Sequence, residues 1–570
     1  MLMVRRGWAR FSCEQGGVYA PVLDAHTRDN ENETPFKRIK RAFVLSLGPQ
    51  HEIAMNASSP LPPAVEHDVL VVGGGINGAG IARDLAGRGL SVCLVEQDDL
   101  ASHTSSASTK LIHGGLRYLE HREFGLVRKA LGEREVLLRS APHIMWPLRF
   151  VLPHDPAMRP AWMIRLGLFL YDHLARREVL PGSGGVDLRR SVLGVPLQPR
   201  FKRGFVYSDG WVDDARLVVL NAIDARERGA SVLTRTRCVR AERGDTHWLA
   251  TLSGSAGTRQ VRARALVNAA GPWAARFLRD VAHTSGGQPL ASRGLRLVKG
   301  SHIVVPRQFE HDHAYIFQNA DGRIIFAIPY ERDFTLIGTT DQEVHGDPRD
   351  ARCEADEVAY LCEQASRYLV RPIQPADVVW TYSGVRPLLD DAAGDPSAVT
   401  RDYLLETDSR GAPLLSVWGG KITTFRQLAE DAASAVAQAL GEARPAWTRG
   451  ASLPGGDLSG WIRVSGHPGV DFDRFLQAVR ARYPWLPQPL SLRLARAHGS
   501  RIDRVLGSAA CLADLGAEVA PGLHPAELRH LQAHEWATCA DDVLWRRSKL
   551  GLHLNEAQRQ AVQGWMSGGG

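Results

Sequence analysis

An α/β fold is predicted for this chain: a Rossmann-like sheet threaded through much of its length, an interleaved antiparallel sheet, and a helical C-terminal region. Three observations predict it. An apolar strand, Val69-Leu70-Val71-Val72, runs into Gly73-Gly74-Gly75-Ile76-Asn77-Gly78, then a helix-like segment, then Ser91-Val92-Cys93-Leu94-Val95-Glu96. Two more small-residue turns end apolar runs far downstream, at Asn268-Ala269-Ala270-Gly271 and at Trp418-Gly419-Gly420-Lys421. Alternating strand-like runs lie between them, and from about residue 451 the spacing of apolar residues becomes helical.

Residues 1–65 differ from the rest. They hold the polar run Arg28-Asp29-Asn30-Glu31-Asn32-Glu33, the basic run Lys37-Arg38-Ile39-Lys40-Arg41, and Pro60, Pro62 and Pro63. They lack an amphipathic period and read as a disordered extension, with Met55 as an alternative start. The apolar stretch Phe43–Leu47 is too short and too internal for a signal peptide.

The first glycine turn carries the strongest chemical signal. Gly73, Gly75 and Gly78 give the spacing in which the first glycine permits a tight turn, the second lets backbone approach a pyrophosphate, and the third lets helix and strand pack closely. The pyrophosphate then meets the positive end of the helix. Glu96, closing the second strand, can accept ribose hydroxyls and would repel a 2′-phosphate, which points to FAD or NAD rather than NADP. NAD domains are usually contiguous, so three widely spaced turns favour FAD.

Beyond Glu96, the loop Ala101 to Lys110 leads to Leu111-Ile112-His113-Gly114-Gly115-Leu116-Arg117-Tyr118, and Glu120 to Arg139 has the spacing of an exposed helix. Arg159 to Arg177 mixes Trp162, Met163, Leu166, Phe169 and Leu170 with arginines. It suits an interfacial helix and also a helix packed on the sheet domain, and the packed reading is the simpler expectation. Ser301–Val305 and Arg323–Ile328 read as strands of the antiparallel sheet, and Phe425–Leu440 as the helix after the third turn. In the C-terminal region, helices are expected at Phe472–Tyr483, Arg493–Leu506, Pro525–Glu535 and Ala540–Lys549.

Composition narrows the function. At 570 residues, 44% hydrophobic and 23% charged, the chain is globular and too long for one simple core. Its seven cysteines include no C-x-x-C pair, so neither a disulfide framework nor a metal site is suggested. The net charge of +7 suits anionic substrates or an acidic membrane surface and is too diffuse to imply nucleic acid. No apolar run reaches 18 residues, so a spanning helix is not expected.

With these motifs in order, the chain closely resembles the aerobic, FAD-dependent glycerol-3-phosphate dehydrogenases, of the D-amino-acid-oxidase-like branch of flavoproteins. The resemblance runs from about Asp68 to Trp565 and includes Gly73–Gly80, Leu111–Glu120, Tyr207–Leu217, Lys299–Pro306, Trp380–Leu388, Gly419–Phe425 and Asp541–Gly551. It implies oxidation of sn-glycerol 3-phosphate to dihydroxyacetone phosphate, with electrons passing from FAD to membrane quinone. It also implies a cytoplasmic enzyme attached peripherally to the inner face of the cell membrane, with a homodimer left open. The implied division is 1–65 extension, 66–445 oxidoreductase domain with its substrate part inserted, and 446–570 helical domain.

On the same basis the expected cofactor contacts are Gly73, Gly75, Gly78, Glu96, Ser105, Ser106, Ala270, Gly271, Gly419 and Gly420. Arg386, whose planar fork suits bidentate binding, should grip the phosphate with help from Arg117 and Lys421, while Tyr118 shapes the pocket. His113 takes the alcohol proton, or else orients its loop or hydrogen-bonds the flavin. His302 reads as a strand histidine. Two alternatives remain at this stage, an oxidase passing the same electrons to oxygen and an FAD-containing binding protein.

Overall fold

The computed structural model describes residues 64–120, 122–155, 159–390, 402–442 and 444–568. The expectation of disorder over residues 1–65 lies almost wholly outside them, and the first strand already begins at Val65.

The Rossmann-like sheet has nine strands. At its centre Val65–Val72 runs parallel to Val92–Val95 on one side and to Gly257–Asn268 on the other, with Leu70 opposite Cys93 and Leu266. All four residues from Val69 to Val72 are buried, as an unbroken apolar run requires when both faces of a parallel sheet are covered. The strand Gly257–Asn268 changes neighbours along its length. Its first half pairs antiparallel with Trp248–Gly254, whereas Leu266, Val267 and Asn268 pair parallel with Leu414, Leu415 and Ser416. This exchange brings the three glycine turns together at the carboxyl ends of three adjacent parallel strands.

The helices Ile76–Gly87, Asp214–Glu227 and Phe425–Ala439 cover one face of this sheet through Leu85, Val218 and Leu428, and Trp248, Phe277 and Trp418 fill the other. A second, ten-stranded sheet is antiparallel except where Ala314–Gln318 meets Met145–Pro153. The two strands expected within it extend to Leu295–Pro306 and Ile324–Tyr330.

Of the expected C-terminal helices, Phe472–Tyr483 forms as Pro468–Arg482, and Pro525–Glu535 forms as expected. Arg493–Leu506 is instead two helices, Gln488–His498 and Ile502–Leu506, broken at Gly499. There φ is +56°, and a β-carbon would lie 2.1 Å from the Gly455 carbonyl oxygen, so the helix cannot continue with any larger residue. Ala540–Lys549 becomes a short wide-turn helix over Asp542–Arg547.

The described residues on either side of the boundary expected at 446 are tied together by buried ion pairs. Arg547 forks onto both oxygens of Asp99 at 2.6 and 2.7 Å, Arg546 reaches the same carboxylate at 2.6 Å, and Arg216 grips Glu535.

The helix expected between Arg159 and Arg177 spans Ala161–His173, but its packing departs from expectation. Only Leu168 and Tyr171 are buried, whereas Trp162, Met163, Leu166 and Phe169 are 66, 46, 51 and 52% exposed. Apolar spacing alone could not tell a face turned to the core from one turned outward.

Candidate functional site

The three glycine turns line a single cavity of about 380 Å³, with Gly73, Gly75, Glu96, Gly271, Gly419 and Gly420 among its walls. Gly73 has φ +111°, a conformation side chains rarely adopt. Gly78 lies off the cavity and does a different job from Gly75. A β-carbon there would stand 1.8 Å from the Gly73 carbonyl oxygen, so Gly78 is what lets the helix meet its turn. At Gly75 only the Ser105 hydroxyl stands within 4 Å, which leaves the backbone open to a ligand.

The helix beginning at Ile76 has no acidic residue in its first turn, and its Ile76 amide donates to Ser105 Oγ at 2.9 Å. Backbone amides and the helix dipole thus offer positive potential to a pyrophosphate. Glu96 accepts from the Gly74 and Asp98 amides at 2.6 and 2.9 Å, one on each oxygen, and keeps lone pairs for further donors. Burial raises its pKa, and the amides of Asp98 and Gly74 draw it back down. A cavity walled by glycine turns, with open backbone at Gly75 and the carboxylate of Glu96 in its lining, has the donors and acceptor that a flavin adenine dinucleotide calls for. Ser105, Ala270 and Gly271 line it as well. Ser106 turns away, its hydroxyl donating to the His103 carbonyl at 3.3 Å, because the Thr104–Ser106 turn points successive side chains in different directions.

Three lining residues went unread in the sequence. Asn77 Nδ2 donates to the Gly419 carbonyl at 3.1 Å and so ties the first turn to the third. His103 and Trp273 meet edge to face at 4.8 Å, with Asp98 accepting from His103 at 2.8 Å. Asn77 occupied an unrestricted position of the glycine motif, so spacing alone gave it no weight.

Beyond the third turn, His113, Tyr118 and Lys421 come together. The His113 amide donates to Thr423 Oγ1 at 3.2 Å, and Lys421 Nζ sits over the Tyr118 ring, 3.9 Å from its centre. Arg117 lies on the same Leu116–Leu119 turn as Tyr118, which starts after Gly115 at φ +74°. Burial pushes the His113 imidazole below the usual histidine range, Asp209 pulls it upward, and Lys421 and Arg134 push it down. Arg386 stands on the strand Trp380–Leu389, whose next residue, Pro387, lines the cavity. Its side chain pairs with Asp341 rather than with any member of the His113 group.

His302 is a strand histidine, as expected. It is buried, stacks on Tyr382 at 4.7 Å and bonds Thr109 Oγ1 at 3.0 Å, and burial, with Lys110 and Arg386 near, lowers its pKa to about 3. Among the described residues, His498, His530 and Glu535 form the one group that could hold a metal ion. Arg216 already occupies both oxygens of that glutamate.

Comparison with known proteins agrees with this geometry. A family model described as FAD dependent oxidoreductase matches residues 68–426. A glycerol-3-phosphate dehydrogenase of Pseudomonas aeruginosa is 53% identical over 507 residues, covering 88% of this chain and 96% of that protein. A D-erythritol 1-phosphate dehydrogenase of Brucella abortus is 50% identical over 501 residues, covering 87 and 97%. Among solved structures, a glycerol-3-phosphate dehydrogenase from Bacillus halodurans complexed with FAD aligns with a TM-score of 0.68 at 28% identity, covering 88% of this chain and 90% of that one.

Proposed function

The chain belongs to the FAD dependent oxidoreductase family, and from that membership we propose that it oxidises sn-glycerol 3-phosphate to dihydroxyacetone phosphate and passes the electrons to a membrane quinone. The observation that carries the substrate is the meeting of Lys421, Tyr118 and His113 beside the glycine-lined cavity, with Arg117 on the same turn. A cluster of cations with one imidazole suits a small phosphate dianion that bears a secondary alcohol.

Bound FAD supplies the two-electron acceptor for the hydride that leaves C2 of the substrate. The residues do the rest. Lys421, Arg117 and Arg386 hold the phosphate, and this fixes C2 relative to the cavity. The imidazole of His113 accepts the hydroxyl proton as the C2–H and O–H bonds break and the carbonyl forms. Because its pKa is held below the usual histidine range, it is neutral and able to accept at pH 7. The glycine turns of the cavity and the carboxylate of Glu96 would hold the cofactor.

Attachment to the membrane rests on the Ala161–His173 helix. Its four exposed apolar side chains lie at positions 162, 163, 166 and 169, one face of a helix, flanked by Arg165 and Arg176. Such a face suits the boundary between headgroups and acyl chains of an anionic surface, here the inner face of the cell membrane. No helix of the described residues is long and apolar enough to cross a membrane.

Anaerobic addition of sn-glycerol 3-phosphate to the purified yellow protein should bleach its flavin absorbance. Faster bleaching by D-erythritol 1-phosphate would transfer the assignment to a four-carbon polyol phosphate. No bleaching by either would leave a binding protein. Oxygen uptake that a quinone analogue does not suppress would make it an oxidase.

A further inference from the structure

The turn that carries His113 is anchored from behind by three buried residues to which the reaction above gives no part. Asp209 stands on the strand Arg203–Val212, Tyr171 on the helix Ala161–His173 and Arg134 on the helix Phe124–Ser140, each no more than 2% exposed. Tyr171 Oη donates to both oxygens of Asp209, at 2.7 and 2.9 Å. Arg134 Nη1 donates to Asp209 Oδ1 at 2.6 Å and to the Ser208 carbonyl at 2.9 Å. The backbone amide of Gly114 donates to Tyr171 Oη at 2.8 Å and also faces Asp209 Oδ1 at 3.3 Å.

The contact is close. A β-carbon on Gly114 would stand 2.7 Å from Tyr171 Oη and 2.5 Å from Leu131 Cδ2, so the turn lies flat on the network. A wholly buried carboxylate is costly unless every lone pair finds a donor, and here the donors are a guanidinium, a phenol and the amide next to His113. Packing alone would need no charge at this place.

We propose that Asp209 is a positioning residue for the reaction: through Tyr171 and the Gly114 amide it fixes the His113 turn, and its charge offsets the cations that face the imidazole. This rests on His113 as the acceptor of the hydroxyl proton. The charged and titratable groups around His113 are Asp209 from the strand, Arg134 and Tyr171 from the two helices, and Lys421 from the turn after Leu414–Trp418. Asp209 is the one anion among them, so its neutralisation leaves Arg134 and Lys421 unopposed.

The test uses Asp209→Asn, Tyr171→Phe and His113→Asn as purified holoenzymes, with flavin content, KM and kcat for sn-glycerol 3-phosphate measured across pH with a dye acceptor. Asp209→Asn should keep KM within about threefold, because the phosphate cations are untouched, and lower kcat about tenfold or more. The acid limb of its kcat profile should move to lower pH, since the imidazole loses its stabilising anion and gives up its proton more readily. Tyr171→Phe should lower kcat with KM and the limb in place. A purely structural role would not move the limb. Wild-type kcat with an unmoved limb in Asp209→Asn would overturn the proposal. If that variant holds no flavin, Tyr171→Phe decides: lowered kcat at constant KM supports the proposal, and unchanged kcat overturns it. An active His113→Asn would remove the underlying reading, whereas an inactive His113→Asn beside a wild-type Asp209→Asn would remove only the positioning role.

Discussion

The guanidinium of Arg386 donates to the carboxylate of Asp341 across the edge of Gly300. Gly300 makes this possible, since a β-carbon there would come within 3.2 Å of Arg386 Nη2 and 2.6 Å of Thr339 Oγ1. With the side chains 36 and 41% exposed, the pair contributes little to stability and leaves the arginine available to a stronger anion. Arg386→Ala should keep FAD and lose on the order of 10²-fold in kcat/KM for glycerol 3-phosphate, mostly through KM, because charge-assisted bonds are worth ~1.5–3 kcal/mol each. Arg386→Lys should recover little, as an ammonium lacks the fork. Near-normal kcat/KM in Arg386→Ala would place the phosphate elsewhere.

Asp341 competes with the phosphate for that fork. Asp341→Asn should therefore lower KM for glycerol 3-phosphate several-fold and make inorganic phosphate a stronger competitive inhibitor. A raised KM would show that Asp341 orients Arg386 instead of competing for it.

The two glycines of the first turn should fail in different ways. Gly78→Ala drives a methyl group into the Gly73 carbonyl and should give insoluble or unfolded protein. Gly75→Ala meets only a rotatable serine hydroxyl, so it should fold and purify without yellow colour. Stoichiometric flavin in a purified Gly75→Ala protein would contradict the cofactor assignment.

Trp162→Glu with Phe169→Glu should abolish co-sedimentation with vesicles of anionic phospholipid while leaving dye-linked activity in solution unchanged. Burying four half-exposed apolar side chains is worth on the order of 4 kcal/mol, and two of them go. Undiminished vesicle binding would assign the membrane contact to another surface.

Burial raises the pKa of Glu535, yet the charges of Arg216, His498 and Arg547 outweigh it and bring it down to about 2. A carboxylate depressed in the folded state contributes stability that is complete above its ordinary value near 4.5 and is lost as pH falls toward about 2. Glu535→Gln should flatten the stability–pH slope within that window. At neutral pH it should cost ~3–5 kcal/mol, because Arg216 is left buried and unpaired. Denaturant midpoints measured between pH 2 and 7 would reveal either effect, and an unaltered slope would show that the pair is not coupled to folding.

Much of the nucleotide site was legible because it depends on backbone. Glycine spacing, an apolar run and a terminal acid are local signals, and the three turns met as their order implied. What went unread depends on side chains that meet across distant elements. Ser106 differs from Ser105 only in the direction its turn gives it. The partners of Arg386 and of Glu535 are fixed by tertiary contact, and so are the ion pairs that tie the C-terminal helices to Asp99 and Arg216. Asp209 lay within a segment of resemblance, Tyr207–Leu217, but its meaning needed Tyr171 and Arg134 beside it.

The cavity walls run from Val72 to Gly420, and the strand Gly257–Asn268 joins the first and last of the parallel strands that carry them. A ribosome must therefore deliver the nearly 350 residues from Val72 to Gly420 before any complete seat for the cofactor exists. At ~5–20 residues per second this takes roughly 17–70 s. For the first part of that interval the strand Val65–Val72 has its partner Val92–Val95 but waits nearly 190 residues for the other, holding an apolar edge open to mispairing. Flavin loading is thus confined to chains that already carry the third glycine turn.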